Sequence, residues 1–283
     1  MQRPLIVLSH YQVKPILKAR KAGERTAIIS PDLNRTEVDV MLPDEGLIFP
    51  DLTQVFWEDV ERIADSENVC FWVEDEAIHP IQTFSEVTGW PRSLCPTENA
   101  PTTLVSGLTM HRIKGVDPYQ DTLNKIKAAA PITGRVLDTA TGLGYTAIEA
   151  AKTAEHVITI ELDPAALEIA QYNPWSQDLF NNPKIEQRIG DAWDIIEEMD
   201  DAQFSRIIHD PPMFNLAGDL YSGDFYRELY RVLNRKGVLF HYIGDPESRS
   251  GKQVTRGVIK RLKEAGFSSV IPKPKAFGVV ATK

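Results

Sequence analysis

Cysteine is nearly absent: Cys70 and Cys95 are the two that occur in 283 residues. Two cannot build a disulfide framework, and they show no metal-ligand spacing, so buried thiols and no metal centre are expected. Long apolar runs are also missing. Nothing approaches the roughly 18 apolar residues a helix needs to span a bilayer, which excludes a membrane helix. The apolar run within Met1–His10 is too short for a secretory signal, so a cytoplasmic protein is expected. Positive charge is in deficit, with 31 Lys and Arg against 40 Asp and Glu, a net −9. Proteins that grip nucleic acid through its phosphates are basic, so the net charge does not support such a partner. No internal repeat is present.

The charge that exists is unevenly placed. Residues 241–283 hold nine Lys/Arg and three Asp/Glu, a local +6 that reads as the solvated outer face of a helix around Lys252, Arg256, Lys260 and Lys263. The acidic remainder favours an amine-bearing substrate through its field. Residues 1–115 carry −6 and read as a small α+β domain, with strands at 4–9, 26–30, 36–42, 46–49 and 69–73 and helices at 13–22 and 56–64. Residues 79–108 are rich in Pro, Thr and Ser and read as a linker or a lid. His111 follows in the segment 104–113, either as a structural hydrogen-bonding residue or as a substrate contact. A second domain, 116–283, opens with a helix from Pro118 to Ala129 and then alternates strand and helix. Its strands fall near 135–138, 157–161, 184–189, 205–209 and 237–243, followed by a closing antiparallel pair.

The richest stretch is Val136-Leu137-Asp138-Thr139-Ala140-Thr141-Gly142-Leu143-Gly144-Tyr145. An apolar strand ends in an acid, and a glycine turn opens into a helix, as in sheets that hold nucleotide-like ligands at their strand ends. Glu161 ends the next strand, where a carboxylate can accept both hydroxyls of a ribose. It lies 19 residues after Gly142, a spacing that dinucleotide sites share, so these two features alone leave NAD and S-adenosylmethionine both open. Asp163 reads as a helix cap. Asp191 follows the third strand, placed to accept from the exocyclic amine of adenine. The fourth strand ends in His209-Asp210-Pro211-Pro212-Met213-Phe214. Two prolines fix φ and remove two donors, which leaves a stiff rim of acceptors suited to an amine.

From about residue 117 onward the chain resembles the class I S-adenosylmethionine-dependent methyltransferases. Asp138, Ala140, Gly142 and Gly144 match the first motif, with Ala140 in place of its first glycine. The resemblance implies an α/β, Rossmann-like, mostly parallel sheet with a closing antiparallel hairpin. It implies S-adenosylmethionine held by Asp138, Ala140, Gly142, Gly144, Tyr145, Glu161 and Asp191. Asp210-Pro211-Pro212 resembles the motif of amino-group methyltransferases, with the aromatic displaced to Phe214 by Met213. The expected chemistry is methyl transfer to an amine nitrogen, with Asp210, Pro211, Pro212 and Phe214 at the reacting centre and His111 and Tyr221 contacting substrate.

The segment from Asp210 through Tyr226 is also similar to spermidine synthases, which transfer an aminopropyl group from decarboxylated S-adenosylmethionine. Their loop carries a second aspartate three residues after the first, where this chain has Met213. The whole pattern is similar to a group of predicted archaeal-type methyltransferases. Aminopropyl transfer therefore stands as the alternative, and a nucleotide-binding module without chemistry as a weaker one. Oligomeric state is not readable from the sequence.

Overall fold

A computed structural model describes residues 5–212, 218–245 and 247–283. The expected contact Phe214, together with Met213, lies outside the described residues. The chain divides into two compact units, Met1–Pro118 with Ala165–Gln177, and Tyr119–Pro164 with Asp178–Lys283. No helix among the described residues is long and apolar enough to cross a membrane.

The first unit is built from short antiparallel strands and two N-terminal helices. Ser9 and Gln12 form a reciprocal capping box that starts the helix His10–Lys21. That helix and Trp57–Ala64 bury Val13, Ile16, Val60 and Ile63 in one apolar core with Leu47 and Phe49. Cys70 and Cys95 are both buried free thiols. The stretch 79–108 departs from the linker reading. It holds Gln82–Phe84, Pro91–Cys95 and Thr102–Val105, which pair with Leu108–Thr109 in a four-stranded antiparallel sheet. Threonine fits a pleated, half-buried surface, and ladder bonds satisfy the backbone where apolar side chains are few. The segment 165–177 belongs to this unit through the Trp175 indole, which donates to the Leu33 carbonyl at 2.9 Å, and through Tyr172, whose ring lies 4.7 Å from Trp72.

The second unit carries the sheet that the sequence predicts. Its strands are β1 (Arg135–Asp138), β2 (His156–Glu161), β3 (Ile185–Ile189), β4 (Phe204–His209), β5 (Leu233–Tyr242), β6 (Ser269–Lys273) and β7 (Gly278–Thr282). Their order is β3-β2-β1-β4-β5-β7-β6. Pairing is parallel from β3 to β5, and β7 runs antiparallel to both of its neighbours. This is the Rossmann-like methyltransferase fold. The helices that bear on the site or cover the sheet are α1 (Pro118–Ala129), α2 (Tyr145–Ala151), α3 (Ala192–Glu197), α4 (Gly223–Val232) and α5 (Arg249–Glu264). Phe225, Leu229 and Val232 of α4 and Val258 and Leu262 of α5 are buried against Leu137, Ile207 and Leu239. Serine side chains start two of these helices: Ser222 caps α4 and Ser248 caps α5. Register aligns Asp138 with Thr159 on one side and Ile208 on the other, and His209 with His241. The carboxyl ends of β1, β2, β4 and β5 thus meet along one edge, where ligands bind in such sheets.

Candidate active site

Asp138 ends β1 and is completely buried. One of its oxygens accepts from the Thr146 hydroxyl at 2.9 Å and the Thr159 hydroxyl at 3.0 Å. The other, Oδ1, is buried without a hydrogen-bond partner among the described residues. Burial drives this carboxyl up to about 7, against the two hydroxyls and the Ala140 N–H, and the charge of Asp210 adds to the rise.

The glycine turn is pinned to both neighbouring strands. Thr139 N–H donates to the Ile208 carbonyl at 3.1 Å and Thr141 N–H to the Ile160 carbonyl at 2.8 Å. Gly142 and Gly144 have φ of 53° and 78°, in the left-handed region where side chains are strained. They differ in surroundings. A Cβ on Gly144 would fall 2.7 Å from the Leu179 side chain, whereas one on Gly142 would meet nothing within 4 Å. Gly144 is therefore required for packing and Gly142 faces open space. Tyr145 is buried at the start of α2, its ring edge-on to Tyr119. Ala140 is half-buried in the turn.

Glu161 braces the same turn. Its Oε2 accepts from Gly142 N–H at 2.8 Å and its Oε1 from Asp163 N–H at 3.0 Å. Asp191 is exposed and caps α3, accepting from Trp193 N–H at 2.8 Å with one oxygen.

Asp210 stands just past β4, and the structure gives it a partner absent from the motif. Its Oδ2 lies 2.6 Å from Lys125 Nζ, which also lies 3.0 Å from Asp121 Oδ2. Lys125 and Asp121 are buried, at 3 % and 0 % side-chain exposure, while Asp210 is 18 % exposed. The lysine ammonium also sits 4.6 Å from the centre of the Tyr242 ring. Burial works against the lysine charge, but the two carboxylates overcome it and hold the ammonium well above the ordinary lysine range. Burial likewise raises the Asp210 carboxyl, and Lys125 opposes that rise.

A buried polar spine runs beneath this rim. The Thr139 hydroxyl meets His209 Nδ1 at 2.6 Å, and His209 Nε2 meets the Leu220 carbonyl at 2.9 Å. The Tyr226 hydroxyl meets His241 Nε2 at 2.8 Å, and His241 Nδ1 reaches the His209 carbonyl at 3.3 Å. Each ring therefore has one nitrogen facing an acceptor carbonyl and one facing a hydroxyl, as a neutral imidazole requires. Burial pushes His209 down to about 4 and His241 well below the usual histidine range. Pro211 is buried and Pro212 exposed, and the Pro212 carbonyl accepts from the Tyr221 hydroxyl at 3.2 Å. Tyr221 is itself only 3 % exposed, so its hydroxyl holds the proline rim. His111 belongs to the first unit, where its N–H and Nδ1 both meet the Thr102 hydroxyl.

Residues 112–243 match the family described as Methyltransferase small domain. An uncharacterized protein of Methanocaldococcus jannaschii, MJ1233, is 41 % identical over 286 residues, covering 99 % of this chain and 97 % of that protein. The chain belongs to the family of MJ1233. A polyamine aminopropyltransferase of Clostridium kluyveri is 27 % identical over 139 residues, 48 % of this chain and 50 % of that protein. The spermidine synthase of Thermotoga maritima superimposes with a TM-score of 0.56 at 18 % identity, over 71 % of this chain and 70 % of that one. That likeness is one of fold.

Within this MJ1233-type chain, the matched region contains Asp138, Glu161, Asp191 and Asp210, and also Lys125, which motif reading misses. A signal was present. Asp121, Thr122, Lys125 and Ala129 recur at the three-and-four spacing of the buried face of α1, and all four are buried. A lysine on the inward stripe of a helix needs a buried carboxylate.

Proposed function

We propose that this protein transfers a methyl group from S-adenosylmethionine to an amine nitrogen on a small, amine-bearing molecule. The observation that carries the reading is the paired arrangement at adjacent strand ends: an orphaned acceptor on Asp138 beside an open glycine turn, and an ionised, partly exposed Asp210 next to it. The residues fit the cofactor. Asp138 Oδ1 would take the α-amino group, Gly142 would allow close approach of its backbone, Glu161 would accept the ribose hydroxyls, and the second oxygen of Asp191 would take the adenine amine. When bound, S-adenosylmethionine supplies a methyl carbon already activated by its sulfonium. The chain's own task is then positioning, which can supply most of the rate. Asp210 Oδ1 would accept an N–H of the acceptor and aim the nitrogen lone pair, with Tyr221 and the prolines holding the rim.

Aminopropyl transfer is the competing reading, favoured by the partial identity to the Clostridium enzyme. It would call for a second acid to bind and deprotonate a polyamine, and Met213 stands in that place. Calorimetric competition between S-adenosylmethionine and its decarboxylated form tests the proposal. Methyl transfer requires tighter binding of the carboxylated ligand. Preference for the decarboxylated ligand, with spermidine formed from putrescine, would move the function to polyamine synthesis. Tight NADH binding would overturn both.

A further inference from the structure

Lys125 has no direct part in methyl transfer, yet it occupies one oxygen of the acid proposed to hold the acceptor. Its ammonium is 2.6 Å from Asp210 Oδ2 and 3.0 Å from Asp121 Oδ2, and its side chain is 3 % exposed. Asp121 is fully buried, with its carboxylate held against the same ammonium. Asp210 Oδ1 takes no hydrogen bond among the described residues, on a side chain that remains 18 % exposed. Of the two carboxylates paired with Lys125, Asp210 is the partly exposed one, and its charge is already answered by a buried ammonium.

We infer that Lys125 is a specificity-determining residue that restricts the acceptor to an uncharged amine, such as one on an aromatic ring, and turns away alkylammonium ions. The inference rests on the reading of Asp210 as the acceptor-side acid. Charge counting supports it. Asp121, Lys125 and Asp210 together carry one net negative charge, and the sulfonium of a bound cofactor would match it. A cationic acceptor would bring a second positive charge beside Lys125 in a site of low dielectric, where like charges repel strongly. An uncharged amine meets no such penalty. Its N–H needs one acceptor, and one is open. Its lone pair is already free, so no base has to remove a proton before attack.

The test uses the full chain saturated with sinefungin, which keeps a positive charge where the sulfonium would stand, titrated calorimetrically with putrescine. Wild type is expected to bind putrescine weakly or not at all. Lys125→Met removes the competing ammonium, so putrescine should bind at least tenfold tighter. Lys125→Arg keeps the charge and should behave as wild type. A lysine that merely supports the fold would not give a variant with gained affinity. Tight putrescine binding by wild type overturns the inference even if Lys125→Met fails to fold, and so does a folded Lys125→Met with unchanged affinity. Failure of sinefungin itself to bind would instead count against the cofactor reading, which keeps the two outcomes apart.

Discussion

Asp138 and Asp210 sit at the ends of neighbouring strands, yet they are held in opposite ways. Asp138 accepts from two hydroxyls and has no ion-pair partner among the described residues, so burial lifts its carboxyl to about 7. Asp210 is locked to a buried ammonium at 2.6 Å. Hydroxyl donors stabilise an anion by roughly one ordinary hydrogen bond each, whereas losing the counter-ion of a buried charge costs several times that. The proposed cofactor side is thus left short of a positive charge, which a ligand's α-amino group would supply, while the proposed acceptor side has its positive charge built in.

The largest effect is expected from breaking the acceptor side. Lys125→Met leaves Asp121 and Asp210 facing each other without a cation. Removing one partner of a buried pair costs about 3–5 kcal/mol. Urea unfolding should show that loss, and a loss below about 1 kcal/mol would mean water reaches the pair and the contrast with Asp138 is weaker than its burial implies.

The cofactor side should respond to pH in place of charge removal. The Asp138 carboxyl is raised from 3.8 to about 7, so the folded state holds a proton there that the unfolded chain has lost. Stability from this group is complete below 3.8 and falls as pH rises to about 7, by up to about 4 kcal/mol across the window. Asp138→Asn carries no such charge. The difference in unfolding free energy between the Asp138→Asn variant and wild type should therefore grow in favour of the variant from about pH 4 to about pH 7 and then level off. The difference is the quantity to measure, because His209 and His241, kept neutral by burial, give wild type and variant alike an opposite trend at acid pH. A flat difference would mean that Asp138 is ionised throughout.

Much of this was readable in the chain because the signals are local. Apolar runs ending in Asp138, Glu161 and Asp210, each followed by a turn, specify parallel strands whatever packs on them, and β1 and α1 begin and end where the pattern places them. What depends on long-range pairing was not readable. Thr102, Thr103 and Leu94 look like loop composition until Pro91–Cys95 and Thr102–Val105 are seen as partners. α4 does end at Val232, just ahead of Asn234-Arg235-Lys236-Gly237, but these four residues run on within β5 with Lys236 at φ 66°. Lys125 lies 85 residues from Asp210, and no local motif joins them. The side chains of Asp191 and Tyr221 serve a helix cap and the proline rim, roles set by neighbours a few residues away.

The glycine turn between the two acids separates packing from ligand approach. Gly144→Ala must place a Cβ 2.7 Å from Leu179 at a φ of 78°, so strain and overpacking together should cost roughly 2–3 kcal/mol in thermal or urea unfolding. Gly142→Ala meets no atom, and backbone strain alone should cost about 1 kcal/mol. Its larger consequence should be weaker S-adenosylmethionine binding, because the added methyl fills the open space. Equal stability losses in the two variants would dissolve the distinction.

Glu161 gives the smallest effect and the sharpest division of labour. Its carboxylate accepts from Gly142 N–H and Asp163 N–H, and in the proposed reading it also accepts the ribose hydroxyls. Glu161→Gln keeps one acceptor oxygen and turns the other position into a donor, which must then face one of those N–H groups or a ribose hydroxyl. If Glu161 serves the ligand, S-adenosylmethionine affinity should fall about tenfold, close to 1.4 kcal/mol, with a smaller change in unfolding free energy. If it serves the turn alone, the loss should appear chiefly in stability, since the bound and free proteins would share it. Calorimetric affinity and urea unfolding on the same preparation distinguish the two. The second outcome would leave the ribose without its acid and confine the ligand-facing part of the cofactor side to Asp138 and Gly142.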